Sequence, residues 1–170
     1  MDDYMHIALE EAKKETTKPS MIIVKNQIGE VPVGAVIVKD NVVIAKAHNL
    51  RENNKSIISH AEILAIEEAC RILGDWRLSG ASMYVTMEPC SMCASAIGQS
   101  RISKLYIGTF NKDMGACGTI LNILDYDIFN SHTSINWCYN KECSDLISKF
   151  FYEKRQMKLI ERWEDKEWIQ

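Results

Sequence analysis

Apolar and polar positions alternate along the chain with two different periods, and these periods predict its secondary structure. Residues 3–14 carry apolar side chains at helical spacing, which predicts an amphipathic helix. The segment 21–25, MIIVK, is apolar and short enough for a strand. The segments 31–40 and 42–48 are rich in valine and meet at Asp40–Asn41, so we expect them to form a β-hairpin.

Helical spacing returns at residues 60–73. Ser59 is a candidate N-cap for this helix, and Gly74 is placed to end it. The predicted apolar face consists of four residues: Ile63, Leu64, Ile66 and Ala69. We therefore expect this face to pack on a sheet.

The second half of the chain continues the alternation of strands and helices. Residues 81–87 predict a strand, and Pro89 stands where the first position of a helix extending to residue 99 is expected. The remaining segments predict a strand at 104–110, a glycine-containing loop at 115–124, a weaker strand at 133–139 and a long helix at 141–159. This order is typical of a three-layer α/β/α domain.

Composition favours a single domain spanning residues 1–170. The chain is 46% apolar and has a net charge of −3, which gives no sign of bulk attraction to nucleic acid. It shows no signal-peptide pattern and no apolar run near the roughly 20 residues that a membrane span needs. We therefore expect a cytoplasmic protein with no membrane contact.

Two of the six cysteines form a C-x-x-C pair, Cys90 and Cys93. Such a pair is compatible with a redox disulfide, half of a structural zinc site or part of a catalytic zinc site. His60 opens the preceding predicted helix, and imidazole and thiolate are both ligands that zinc accepts. Three protein ligands would leave a fourth position for water, and both cysteines lie where a helix N-terminus favours thiolate.

Glu62 lies two residues after His60, where its carboxylate can approach that water without binding the metal. Redox use of the cysteines would explain neither His60 nor Glu62, and a structural zinc site would favour a fourth protein ligand. The combined pattern H-x-E…P-C-x-x-C is typical of zinc-dependent nucleobase deaminases. The sequence thus favours a catalytic zinc site.

From Gly29 to about Leu124 the chain resembles the bacterial tRNA-specific adenosine deaminases, within the cytidine-deaminase-like superfamily. The resembling segments are GEVPVGAVIVKD, AHNLRE, HAEILAI, WRL, MYVTMEPCSMC, QSRI, LYIGT and GACGTILNIL, with a looser match at SDLISKFFYEKR. The resemblance implies a mixed five-stranded sheet between helices and a homodimer. It also implies conversion of adenosine to inosine at the wobble position of a tRNA anticodon stem-loop.

The resemblance also implies residue roles. His60, Cys90 and Cys93 would bind one zinc ion per chain, which lowers the pKa of a bound water toward ~7. Hydroxide would then attack C6 of the adenine while Glu62 shuttles protons. The residues expected to contact the base or line its pocket are Asn49, Val31, Met87 and Asn111.

The chain departs from the family pattern at four places that bear on function, one of them near the final strand, where the family's Asn-His pair reads Asn130-Ser131. We expect residues 15–28 to be an insertion where the family has only a few residues, and residues 160–170 to be a charged tail that is more acidic than the family's. Asn111 replaces an acidic residue, which removes like-charge repulsion with a phosphate backbone. Our hypothesis is that this replacement relaxes the substrate preference toward other single strands, including DNA.

The sequence is compatible with two other functions. One is a deaminase of the same fold that acts on a free nucleobase or nucleoside, such as guanine or cytosine. The other is a non-catalytic, zinc-stabilised nucleic-acid-binding module, for which Glu62 would be dispensable.

Overall fold

The computed structural model describes residues 2–14, 29–126 and 128–167. The helices are α1 (Asp2–Lys13), α2 (Ala61–Leu73), α3 (Ser91–Gln99) and α4 (Lys141–Glu167), with a 3₁₀ turn at Ile123–Asp125. The strands are β1 (Gly34–Lys39), β2 (Val42–His48), β3 (Ser82–Met87), β4 (Lys104–Thr109) and β5 (Ser134–Trp137). The strand predicted at 21–25 and the insertion expected at 15–28 lie outside the described residues.

The strands form one five-stranded sheet in the order β2-β1-β3-β4-β5. Strand β1 pairs antiparallel with β2 and β3, whereas β3, β4 and β5 run parallel. The predicted mixed five-stranded sheet is confirmed. Because β3, β4 and β5 are parallel, their carboxyl ends lie along the same edge of the sheet.

Helices cover both faces of the sheet and create two separate cores. On one face, α1 and α4 bury a cluster that includes Leu9, Val36 and Cys143. On the other face, α2 and α3 bury a larger cluster that includes Ile37 and Ile97. The predicted three-layer arrangement is confirmed.

The predicted hairpin is present, and its turn is tight. Asp40 and Asn41 connect β1 to β2 with φ angles of 51° and 61°. Asparagine and aspartate tolerate this left-handed conformation better than most residues. Two consecutive residues in this conformation form a two-residue hairpin turn whose twist matches the right-handed twist of the flanking strands.

Two predicted helix starts are wrong by one or two residues. Ser59 is not the cap of α2, because His60 occupies that position and the Ser59 hydroxyl accepts a hydrogen bond from Asn54 Nδ2 at 3.1 Å. Pro89 is not the first residue of α3, because Cys90 is the N-cap with an extended backbone. Cys90 is extended because it forms an isolated β-bridge with Gly115.

The predicted apolar face of α2 is only partly correct. Ile63, Leu64 and Ile66 are half-buried, and Ala69 is buried as predicted. The fully covered side of the helix also includes Ala61, Glu62 and Ala65. Small side chains on this side let α2 lie close to the sheet, which brings Glu62 into the interior.

Helix α4 is longer than predicted. It continues from Lys141 through Glu167, into the segment expected to be a charged tail. Over the part of the chain that the structure describes, neither α4 nor any other helix has the length and apolar content to cross a bilayer.

Candidate active site

The site begins where two helices start. His60 is the N-cap of α2 and Cys90 is the N-cap of α3, and neither side chain caps its own helix. N-cap side chains usually accept a hydrogen bond from the first turn, so this pair gives up a local stabilisation of about 1 kcal/mol each. Their side chains contact each other instead, with His60 Nδ1 3.7 Å from Cys90 Sγ.

Cys93 completes the group from the first turn of α3. Its Sγ lies 3.5 Å from His60 Nδ1, and the three donor atoms all lie within 4.8 Å of one another. Zinc bonds of about 2.1 Å to nitrogen and 2.3 Å to sulfur give a tetrahedral N–S edge of about 3.6 Å. One imidazole and two thiolates at this spacing fit a zinc ion.

The two sulfur atoms hold protons with unequal affinity. A hydrogen bond from the Cys93 thiol, aided by His60, lowers the pKa of Cys90 to about 4. The same hydrogen bond, together with burial and the nearby Glu62 carboxylate, raises the pKa of Cys93 well above its usual range. The pKa of His60 is raised, chiefly by its hydrogen bond to Cys90. The metal-free site therefore holds a proton that a divalent cation would displace.

Glu62 lies beside these donors with only 4% of its surface exposed. Burial raises its pKa to about 6, while a hydrogen bond with the Cys93 thiol acts in the opposite direction. A carboxyl group with a pKa near neutrality can both accept and release a proton at neutral pH. This is the property that a proton shuttle needs.

Asn49 is held in place by a residue that the sequence reasoning missed, Glu30. Both are buried, and Asn49 Nδ2 donates to Glu30 Oε2 at 2.9 Å while Asn53 N donates to Glu30 Oε1 at 2.7 Å. This contact fixes the orientation of the amide. It leaves the Asn49 Oδ1 atom available to accept a hydrogen bond from another group. The available signal was an acidic residue within the otherwise apolar segment GEVPVGAV.

Glu88 is a second residue that sequence reasoning missed. Its side chain is 2% exposed and accepts hydrogen bonds from four groups of one loop. The donors are the backbone N–H groups of Asn111 (3.1 Å), Cys117 (3.0 Å) and Thr119 (3.0 Å) and the Thr119 hydroxyl. Glu88 precedes the Pro89–Cys90 turn, so it fastens the loop 111–119 to the segment that supplies Cys90 and Cys93.

Asn111 lies within that loop and is half-buried. Its Nδ2 donates to the Glu88 carbonyl at 3.4 Å, and its Oδ1 accepts from Met114 N at 3.0 Å. An aspartate at this position would lose the first of these contacts. Gly115, which bridges to Cys90, also donates to the Asn111 carbonyl.

The two other predicted pocket residues are half-buried. The Val31 carbonyl accepts from Val33 N, and the Val33 carbonyl accepts from Asn49 N, which places Val31 near Asn49. Met87 ends β3 opposite Thr109, directly before Glu88. Substrate contacts of these residues remain predictions.

The cysteines outside the group do not join it. Cys117 and Cys143 are buried thiols whose pKa values are raised by burial. In the described ranges 2–14, 29–126 and 128–167, the His60–Cys90–Cys93 group is the one cluster of donors suited to a metal ion.

Donors of this kind at two neighbouring helix starts, with a buried carboxylate beside them, place the chain among the nucleobase deaminases of the cytidine-deaminase-like class. The chain belongs to the MafB19-like deaminase family, whose sequence profile matches residues 10–155. The predicted class of enzyme is confirmed.

Individual relatives agree with the resemblance found in the sequence. The chain is 44% identical over 160 residues to the tRNA-specific adenosine deaminase of Bacillus subtilis, covering 94% of this chain and 93% of that protein. A solved structure from work on A-to-I editing by tRNA:A34 deaminases superposes with a TM-score of 0.76 at 33% identity, covering 86% of this chain and 99% of that chain.

A guanine deaminase from Bacillus subtilis is also similar. Its structure superposes with a TM-score of 0.57 at 30% identity and covers 66% of each chain. The similarity is thus more extensive toward the tRNA deaminases than toward this enzyme.

Proposed function

We propose that this protein converts adenosine to inosine at the wobble position of a tRNA anticodon. The observation that carries the proposal is the buried Glu62 carboxylate beside the His60, Cys90 and Cys93 donor atoms, in a chain related over nearly its whole length to tRNA-specific adenosine deaminases. A non-catalytic zinc module would have no use for a carboxyl group with a raised pKa at this place.

His60, Cys90 and Cys93 would hold one zinc ion per chain. Bound there, zinc would polarise a water molecule in its fourth coordination position. The protein's own contribution is to hold these donor atoms close together at the starts of α2 and α3.

Glu62 moves the protons of the reaction. It takes a proton as water adds to C6 of the adenine, and it delivers protons to the ring nitrogen and to the departing amino group. The C6–N bond breaks, ammonia leaves and a carbonyl remains, so adenosine and water give inosine and ammonia.

The Asn49 amide would hydrogen-bond the target adenine after the base has rotated out of the RNA strand into the site. Glu30 would fix the orientation of this amide. An amide oriented in this way can accept from the exocyclic amine of adenine and donate to a ring nitrogen. A base in an anticodon loop is already unstacked and costs less to extrude than one in a duplex, which favours such a substrate.

We propose a homodimer that acts in the cytoplasm on the anticodon stem-loop. The family resemblance supports all three.

The decisive comparison is between RNA and free bases. Pure zinc-loaded protein is incubated with an anticodon stem-loop bearing a wobble adenosine, and separately with free guanine, cytosine, cytidine and adenosine. Formation of inosine in the RNA supports the proposal. Ammonia release from guanine but not from the RNA would assign the protein to the guanine deaminases, the runner-up that its structural similarity suggests.

The hypothesis about Asn111 is tested in the same assay with single-stranded DNA. The native protein should deaminate DNA adenines faster than the Asn111→Asp variant, with both active on the stem-loop. Equal inactivity of both proteins on DNA would contradict it.

A further inference from the structure

Three aromatic side chains cluster beside the active site and stay accessible to solvent. The ring centroids of Phe110 and Trp137 lie 4.8 Å apart, and those of Trp137 and Tyr139 lie 6.1 Å apart with only 18° between the ring planes. Phe110 is 44% exposed and Tyr139 is 67% exposed. Burial in a core therefore does not explain these two side chains.

The backbone at Tyr139 is held in an unusual conformation that presents the ring. Its φ angle is 49°, in the left-handed region that bulky residues rarely adopt. The neighbouring residues fix it on both sides, since Cys138 N donates to the Ile107 carbonyl and Asn140 N to the Gly108 carbonyl, each at 2.8 Å. Unfavourable backbone conformations that are held in this way often mark functional positions.

The cluster lies on the edge of the sheet that carries the site. Glu88 N donates to the Thr109 carbonyl at 2.8 Å, so Phe110 follows β4 at the level where the metal-binding turn follows β3. Trp137 ends β5 and packs against the same core as α3. Because adjacent strands lie about 4.8 Å apart, the end of β5 is about 10 Å from the end of β3. That distance suits the neighbours of a base held in the active site.

An exposed cation lies on each of two loops at this edge of the sheet. Arg51 lies in the loop that follows β2, and Lys112 follows Phe110 by two residues. Both side chains are exposed, and neither forms an ion pair with any residue that the structure describes. Exposed cations next to exposed aromatic rings are the combination that binds single-stranded nucleic acid.

We propose that Phe110, Trp137 and Tyr139 form a stacking platform for an unpaired base that flanks the target adenosine. Aromatic faces stack on any base, so the platform would hold the strand without reading its sequence. This inference rests on the proposed function, because it assumes a single-stranded RNA loop in the active site.

The test removes the ring at Tyr139 without disturbing its backbone. Tyr139→Asn keeps a residue that tolerates a positive φ angle, and Phe110→Leu keeps apolar volume without an aromatic face. Tyr152→Asn is the matched control, because Tyr152 is 58% exposed on α4, outside the cluster. Thermal unfolding verifies that each variant is folded.

We expect Tyr139→Asn to raise KM for the anticodon stem-loop roughly tenfold, equivalent to about 1.4 kcal/mol of lost stacking, with kcat unchanged within about twofold. Phe110→Leu should act in the same direction and Tyr152→Asn should have no effect. In a stem-loop with 2-aminopurine beside the target, fluorescence should fall on binding to wild type and fall less with Tyr139→Asn.

Three results would overturn the platform, and they are distinguishable. If wild type deaminates the stem-loop and both variants match it in KM, these rings do not contact the RNA. If the variants change the sedimentation of the protein but not KM, the cluster is a contact between protein chains. If wild type leaves the stem-loop unchanged, the proposed function itself fails and the platform with it.

Discussion

Thr119 donates two hydrogen bonds, from its backbone N–H and from its hydroxyl, to the carboxylate of Glu88, which lies 31 positions earlier in the sequence. The carboxylate also accepts from two other backbone N–H groups of the loop 111–119. One buried side chain thus connects this loop to the turn that supplies Cys90. The loop would otherwise present unpaired backbone donors near the site.

We predict that Glu88→Gln loosens the loop while leaving the metal donors in place. An amide replaces one acceptor oxygen by a donor that faces other donors, which should lower the free energy of unfolding by about 1–3 kcal/mol. Zinc content should stay unchanged, while kcat/KM for the stem-loop falls. Urea unfolding and hydrogen exchange of the Cys117 and Thr119 amides measure the effect.

Glu67→Gln is the control, because Glu67 is exposed on α2. If Glu88→Gln and Glu67→Gln gave the same exchange rates in the loop 111–119, Glu88 would not be what holds it.

We predict that Glu30→Gln impairs substrate binding through Asn49. A glutamine supplies one oxygen where Asn49 Nδ2 and Asn53 N now use two, so the Asn49 amide loses its fixed orientation. KM for the stem-loop should rise about tenfold, with zinc content unchanged. Steady-state kinetics give the result, with Glu52→Gln as an exposed neighbouring control. An unchanged KM would show that Asn49 is oriented by other means.

Zinc uptake should release protons at neutral pH. The raised pKa of Cys93 keeps its thiol protonated in the metal-free protein, and zinc binds the thiolate. We expect about one proton released per zinc ion and an affinity that falls as the pH is lowered. Calorimetry in buffers of different ionisation enthalpy measures the proton. An apparent binding enthalpy independent of the buffer would mean that both thiols are already ionised.

Glu62 should destabilise the metal-free protein at high pH. Its pKa rises from 4.5 to about 6 on folding, so the folded state favours the protonated form. The contribution is fully favourable below the unfolded pKa and is lost as the pH rises through about 6. Glu62→Gln should therefore raise the free energy of unfolding relative to wild type by up to about 2 kcal/mol at about pH 8, and by nothing near pH 4. A difference independent of pH would contradict the burial of an ionisable Glu62.

The hydrophobic pattern predicted most of the fold. The hairpin turn at Asp40–Asn41 and the end of α2 at Gly74 follow from local backbone preferences, and both are observed. The starts of α2 and α3 were misplaced because rules for helix capping assume that the cap serves its own helix. At His60 and Cys90 the side chains serve the site instead.

The chemistry of the site was predictable where the residues are close in sequence or belong to a known pattern. The roles of Glu30 and Glu88 could not be predicted from the sequence, because the fold brings them to partners that lie 19 to 31 residues away in the chain. The aromatic cluster could not be predicted either, because the pairing of β4 with β5 is what brings Phe110 and Trp137 together.

The most direct test of the proposed chemistry is deamination of the anticodon stem-loop in water labelled with heavy oxygen, by zinc-loaded wild type and by Glu62→Gln. Wild type should convert the wobble adenosine to inosine that carries the label, and Glu62→Gln should keep its zinc but lose at least about a hundredfold in kcat. An unchanged stem-loop, or a Glu62→Gln variant as active as wild type, would contradict a hydrolytic adenosine deaminase built on this site.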